Sequence, residues 1–93
     1  MTIIRSRRFT IRLMDILRYI AKDKTGASRN FKNQLDKQIK NIPNFPYKYR
    51  PSIYFDDTNI RDMVFKGYTI TYEVDPENNT IVIMDIFNQN KPI

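Results

Sequence analysis

With 93 residues the chain is sized for one domain, and with neither cysteine nor histidine it excludes a disulfide framework, thiolate chemistry, the usual zinc-ligand sets and the commonest general base. Sixteen Lys and Arg against ten Asp and Glu leave a net charge of +6, which points to an acidic partner, either nucleic acid or an acidic protein segment. No apolar run approaches the roughly 20 residues that span a bilayer, and the basic start, Met1 to Arg8, is followed by Arg12, Asp15 and Arg18 where a signal peptide would be apolar. The expectation is a cytoplasmic protein without membrane contact.

Ile3 and Ile4 read as a short first strand, and Ser6 as the N-cap of a helix. Phe9, Leu13, Ile16, Leu17 and Ile20 then fall on one helical face while Arg12, Arg18 and Lys22 lie off it, predicting an amphipathic helix that ends near Lys22. Asp23 to Gly26 carries a break. Ala27, Phe31, Leu35, Ile39 and Ile42 recur at nearly four-residue spacing, a second helix that stops before Pro43 because a proline disfavours helical geometry in the residue before it. So short a break makes the two helices an antiparallel hairpin.

Pro43 to Pro51 holds three of the five prolines and is excluded from helix and central strand, yet its aromatics place it against the protein body. Ser52 to Phe55 reads as a further piece of strand, and Asp56 to Asn59 as a polar turn. Three β-rich runs follow, separated by Lys66-Gly67 and by Asp75 to Asn79, the pattern of an antiparallel meander. In the middle run Tyr68, Ile70, Tyr72 and Val74 form the expected core face, leaving Thr69, Thr71 and Glu73 on a face open for binding. The last run, Thr80 to Phe87, is apolar except near Asp85, and Asn88 to Ile93 is too short and polar to define an element.

Lys48, Arg50, Arg61 and Lys66 cluster in sequence around the second β-run and suit recognition of phosphate or carboxylate. Tyr47, Tyr49, Tyr54 and Tyr68 are interleaved with them; they can stack on bases, or equally be core-edge residues with basic stems packed over them. Asp56-Asp57 is the only adjacent carboxylate pair, read as a turn cap because the spacing supplies no further metal ligands. With glycine only at 26 and 67, a Gly-rich phosphate loop is impossible, and no cofactor is expected.

The order strand, helical hairpin, proline-bounded loop and meander resembles the RelE/ParE superfamily of toxins from bacterial type II toxin-antitoxin systems over nearly the whole chain. The residues that carry it are Leu17 to Ile20, Phe31 to Leu35, Ile42 to Pro46, Asn59 to Asp62, Lys66 to Tyr72 and Ile81 to Phe87. The resemblance implies an α+β fold with an N-terminal strand and a helical hairpin packed on one face of a small antiparallel sheet. It also implies a growth inhibitor neutralised by a cognate acidic antitoxin segment that folds on the toxin.

The superfamily divides between ParE-like members that inhibit DNA gyrase and RelE-like members that cut messenger RNA on the ribosome. In the second case Arg61, Lys66 and Tyr68 are the catalytic candidates. However, Thr69 stands where cleaving relatives carry Arg, and Asn88 to Pro92 replaces their basic and tyrosyl residues after the last strand. The reading is therefore ParE-like, with Lys48, Arg50, Arg61 and Lys66 as target- or anion-binding residues. The rivals are the ribosome-dependent endonuclease and a nucleic-acid-binding module without toxicity.

Overall fold

A computed structural model describes residues 1–88; the polar tail beyond Asn88 lies outside the described residues. The elements are β1 (Thr2–Arg5), α1 (Arg7–Asp23), α2 (Thr25–Asn41), a 3-10 turn (Ile42–Asn44), β2 (Arg50–Pro51), β3 (Ile60–Phe65), β4 (Tyr68–Asp75) and β5 (Thr80–Asn88). Ser6 caps α1 as its sequence position predicts: it is extended, and its hydroxyl accepts the Phe9 N–H at 3.1 Å. The helical break is tighter than the sequence suggests. Lys24 alone is extended between the helices, and Gly26 already belongs to the first turn of α2. The Ser28 hydroxyl, donating to Leu17 O at 2.9 Å, ties the two helices beside this link.

The sheet runs in the order β1-β5-β4-β3-β2. β2 to β5 are antiparallel as expected, whereas β1 lies parallel to β5, with Thr2 opposite Thr80 and Arg5 opposite Ile83, so the sheet is mixed. This direction places Ile3 beside Ile81 against the core and brings Ser6 to β5, where its N–H donates to Ile83 O at 2.9 Å. Lys66 and Gly67 both take positive φ, 49° and 83°, the two-residue turn that matches strand twist in a tight hairpin.

The core lies between the helices and one sheet face. Phe9 and Leu13 from α1, Phe31, Leu35 and Ile39 from α2, and Ile42 meet Met63, Phe65, Ile70, Tyr72, Val74, Ile81, Ile83 and Ile86. Phe31 packs edge-on to both Phe65 and Tyr68, with centroids 5.2 and 5.5 Å away. Ala27, expected on this face, is exposed because it precedes the point where α2 reaches the sheet residues. Truncating a side chain such as Phe9 or Leu35 to Ala costs about 3 to 5 kcal/mol at sites of this kind.

Two expectations fail on the opposite sheet face. Ser52 to Phe55 is not a strand, because after Ser52 N–H bonds Ile60 O the next donors are taken by side chains: Ile53 N–H by Asp62 Oδ2 and Tyr54 N–H by Ser52 Oγ, both at 3.2 Å. The second face is also not open along β4, since Thr69 and Thr71 are buried. The 52–55 segment crosses it as a strap, with Tyr54 edge-on to Phe87 at 5.2 Å and Phe55 beside Thr71, Met84 and Asp85.

Candidate functional site

Arg61, the central cation of the predicted site, is turned onto the loop that precedes β3. Its Nε donates to Thr58 O at 2.8 Å, its Nη1 to Tyr49 O at 3.0 Å and more distantly to Tyr47 O, and its guanidinium stacks 4.8 Å from the Tyr47 ring centroid. The same loop is held from below by Tyr72, whose hydroxyl donates to Pro46 O at 2.6 Å. Burial, reinforced by Tyr49, pushes the Tyr72 phenol far above its ordinary value and keeps it a donor. Tyr49 stands edge-on to Tyr72, and Lys48 lies over the Tyr49 ring. Tyr47 and Tyr49 also donate to Asn59 and Gln38. Tyr49 thus packs at the edge of the core, while Tyr47 is exposed and held by Asn59 and Arg61.

Lys48 shares the loop that Arg61 clamps, whereas Arg50, Lys66 and Tyr68 do not converge on Arg61. Arg50 pairs in register with Asp62 on the strap side of the sheet and reaches the Asp62 carboxylate at a long 3.9 Å. Lys66 sits in the β3–β4 turn with its ammonium over Phe65. Tyr68 opens β4 at that same end, opposite Phe65, while Arg61 is opposite Tyr72. Four residue steps separate Arg61 from Phe65, about 13 Å along the strand. Tyr68 instead lines a groove of about 460 Å³ with Arg12, Ile16 and Tyr19 of α1 and Ile86 and Phe87 of β5.

A polar band that the sequence reading did not assemble crosses the strap side. Asp62, Thr71 and Asp85 are neighbours across β3, β4 and β5, all buried, with the Thr71 hydroxyl donating to Asp62 Oδ1 at 3.3 Å. Asp85 accepts ion pairs from Arg8 and Arg12 at 3.2 and 3.5 Å, and its Oδ1 takes the Ile86 N–H at 2.8 Å. The sequence signal was a lone acid inside each apolar strand; at Asp85 it could be seen, and at Asp62 the adjacent Arg61 obscured it. Thr69, two residues back along β4, is fully buried and its hydroxyl has no partner among the described residues.

Asp57 caps the turn before β3 by accepting the Asn59 N–H at 2.8 Å. Among the described residues no group of His, Cys, Asp and Glu side chains is placed to hold a metal ion, and no helix is long and apolar enough to cross a membrane.

The described residues form an α+β fold of a strand, a helical hairpin and a meander, with a cationic aromatic loop at one end and an α1–β5 groove at the other. The sequence matches the family described as ParE toxin of type II toxin-antitoxin system, parDE, over residues 3–92, and the chain belongs to that family. A similar solved structure is the chromosomal ParDE TA system from P. aeruginosa, with a TM-score of 0.76, 16% identity and 95% of each chain covered. No curated protein matches the chain. The protein is the toxin component of a type II toxin-antitoxin system, and an antitoxin is its partner.

Proposed function

We propose that the toxin acts in the ParE manner, as a single cytoplasmic domain that arrests growth by binding a protein target, DNA gyrase, rather than by cutting messenger RNA on the ribosome. The observation that carries this reading is the separation of Arg61 from Lys66 and Tyr68. A cleaving site needs cationic and proton-handling groups gathered around one phosphate. Here the Arg61 guanidinium is spent on main-chain carbonyls, and the other two candidates stand at the far end of the hairpin. Lys48, Arg50 and Lys66 keep exposed cationic ends and supply the charge that attracts acidic surfaces. The antitoxin on this reading is acidic, and its association slows as salt rises because charge complementarity steers the encounter.

Brief induction tests the proposal. Filamentation, a DNA damage response and inhibition of supercoiling by purified gyrase are expected. Codon-phased cuts in ribosome-bound message, mapped by primer extension within minutes and lost in Arg61→Ala or Tyr68→Phe, would establish the endonuclease instead.

A further inference from the structure

We propose that the outer face of α2 binds the phosphate backbone of double-stranded DNA; the inference goes beyond the gyrase reading and stands without it. The charge of the chain is divided between its layers. Residues 1–42, which supply β1 and the helical hairpin, carry eleven Lys and Arg against three Asp, whereas the rest carries five Lys and Arg against seven Asp and Glu. The whole positive excess therefore belongs to the helical side, and the other seven acids belong to the end of the strap, the strands and their turns.

The three acids of the hairpin leave one face clear. Asp15 is paired with Arg18 on α1 at 3.2 Å, Asp23 stands at the tip between Lys22 and Lys24, and Asp36, the one acid of α2, is held between Lys32 and Arg5. Off the side of α2 that buries Phe31, Leu35 and Ile39 stand Arg29, Asn30, Asn33, Gln34, Lys37 and Lys40, all exposed. Arg29, Lys37 and Lys40 enter no ion pair among the described residues. They span about 16 Å of helix, and a duplex carries one charge per roughly 1.7 Å of its axis, so each cation can reach a phosphate of its own. Helix stability does not account for the pattern. Lys40 suits the C-terminal end of the macrodipole, but α2 opens on Lys24 without a side-chain cap and has no acid in its first turn.

Duplex DNA is the polyanion that fits this face. Cations interleaved with amides bond phosphate oxygens and base edges. A protein partner, an acidic antitoxin included, needs apolar anchors, and α2 exposes no large apolar side chain, in contrast to Ile11, Met14 and Tyr19 on α1. An anionic membrane likewise holds a helix by an apolar face. Single-stranded nucleic acid needs aromatic platforms, which the exposed side of α2 also lacks. Double-stranded RNA offers a helix only a deep and narrow major groove, where that of B-DNA is about 12 Å wide.

The test measures binding of the full chain to a fluorescent DNA duplex of arbitrary sequence between about 20 and 200 mM salt. For three phosphate contacts, log K should fall against log salt with a slope of about −3. The double variant Lys37→Gln, Lys40→Gln, at matched melting temperature, should bring the slope to about −1 and weaken binding at least about tenfold at the lowest salt. The double variant Arg7→Gln, Arg18→Gln removes the same charge from α1 and should leave affinity within about threefold, since distant charge is screened. An equal loss in both double variants would show that net charge acts without the α2 face and would overturn the assignment, as would a wild type that leaves the duplex unbound at low salt. RNA of the same sequence, double- or single-stranded, bound about tenfold more tightly than the DNA would replace DNA by RNA. Should the α2 double variant melt early, Lys37→Gln alone is read for a slope change of about one. No gyrase enters these measurements, so their failure and that of the gyrase reading are told apart.

Discussion

The Ser6 hydroxyl joins the start of α1 to the irregular point of β5: it accepts the Phe9 N–H at 3.1 Å and donates to Met84 O at 2.7 Å. Met84 lies where the β4–β5 register slips by one residue, between the Thr71–Asp85 and Tyr72–Ile83 pairs. One oxygen thus satisfies a helix-end donor and a carbonyl that the ladder leaves over. Ser6→Ala should cost about 2 kcal/mol, the sum of a lost cap and a lost hydrogen bond. Urea unfolding would measure it, and a change below about 0.5 kcal/mol would show that water replaces both bonds.

Arg61 is expected to behave as a loop clamp. Arg61→Ala should destabilise the fold by about 2 kcal/mol, since hydrogen bonds from a charged donor are the stronger kind. Arg61→Lys should recover only part of this, because a single ammonium reproduces neither the fork to several carbonyls nor the stack on Tyr47. Hydrogen exchange should accelerate in residues 47–58 beyond the general acceleration that the lower global stability brings to β4 and β5. An Arg61→Ala protein with full stability and no toxicity would return Arg61 to the target-binding set.

Thr69 offers a sharper test of the same region. Its buried hydroxyl lacks a partner among the described residues, so Thr69→Val, which removes the polar atom and keeps the shape, should be neutral or stabilise by about 1 kcal/mol in thermal melts. Thr69→Arg restores the residue type of cleaving relatives but forces a charge into a fully covered position, at a cost of more than about 3 kcal/mol. A stable and newly ribonucleolytic Thr69→Arg protein would contradict this account of the sheet face.

Asp36 predicts a pH dependence. Burial pushes its carboxyl up, but hydrogen bonds from Lys32 at 2.9 Å and Arg5 at 3.0 Å, with their charges, outweigh this and hold it below the usual carboxylate value. A carboxylate with a depressed folded pKa adds stability that is fully present above its unfolded value, near 3.9, and is lost as pH falls through the folded value. Asp36→Asn should therefore lower the urea midpoint at pH 7 and not at acid pH. The pairs are partly exposed, which limits the effect to no more than about 1 kcal/mol.

Local patterns account for what was legible. The spacing of Phe9, Leu13, Phe31, Leu35 and Ile39 marks the buried helical faces, Ser6 marks the cap, and Lys66-Gly67 marks the hairpin. The parallel entry of β1 was not legible, because strand direction depends on residues some 80 positions away. Nor was the strap: Ile53 to Phe55 has strand composition, and only the contacts of its N–H groups with Asp62 and Ser52 turn it aside. Arg61 misled for a related reason. Cation type and position in sequence do not tell whether a guanidinium meets solvent or the carbonyls of its own loop.

β1 accompanies β5 only as far as Ile83, and among the described residues no strand lies beside Met84 to Phe87 on that side. A strand edge without a neighbouring strand is a template on which a second molecule can assemble. Asp85 forestalls this by bending its own carboxylate onto the Ile86 N–H, with Arg8 and Arg12 stabilising the charge so placed. In a toxin released from its antitoxin, loss of Asp85 is therefore expected to be felt first as poor solubility at high concentration.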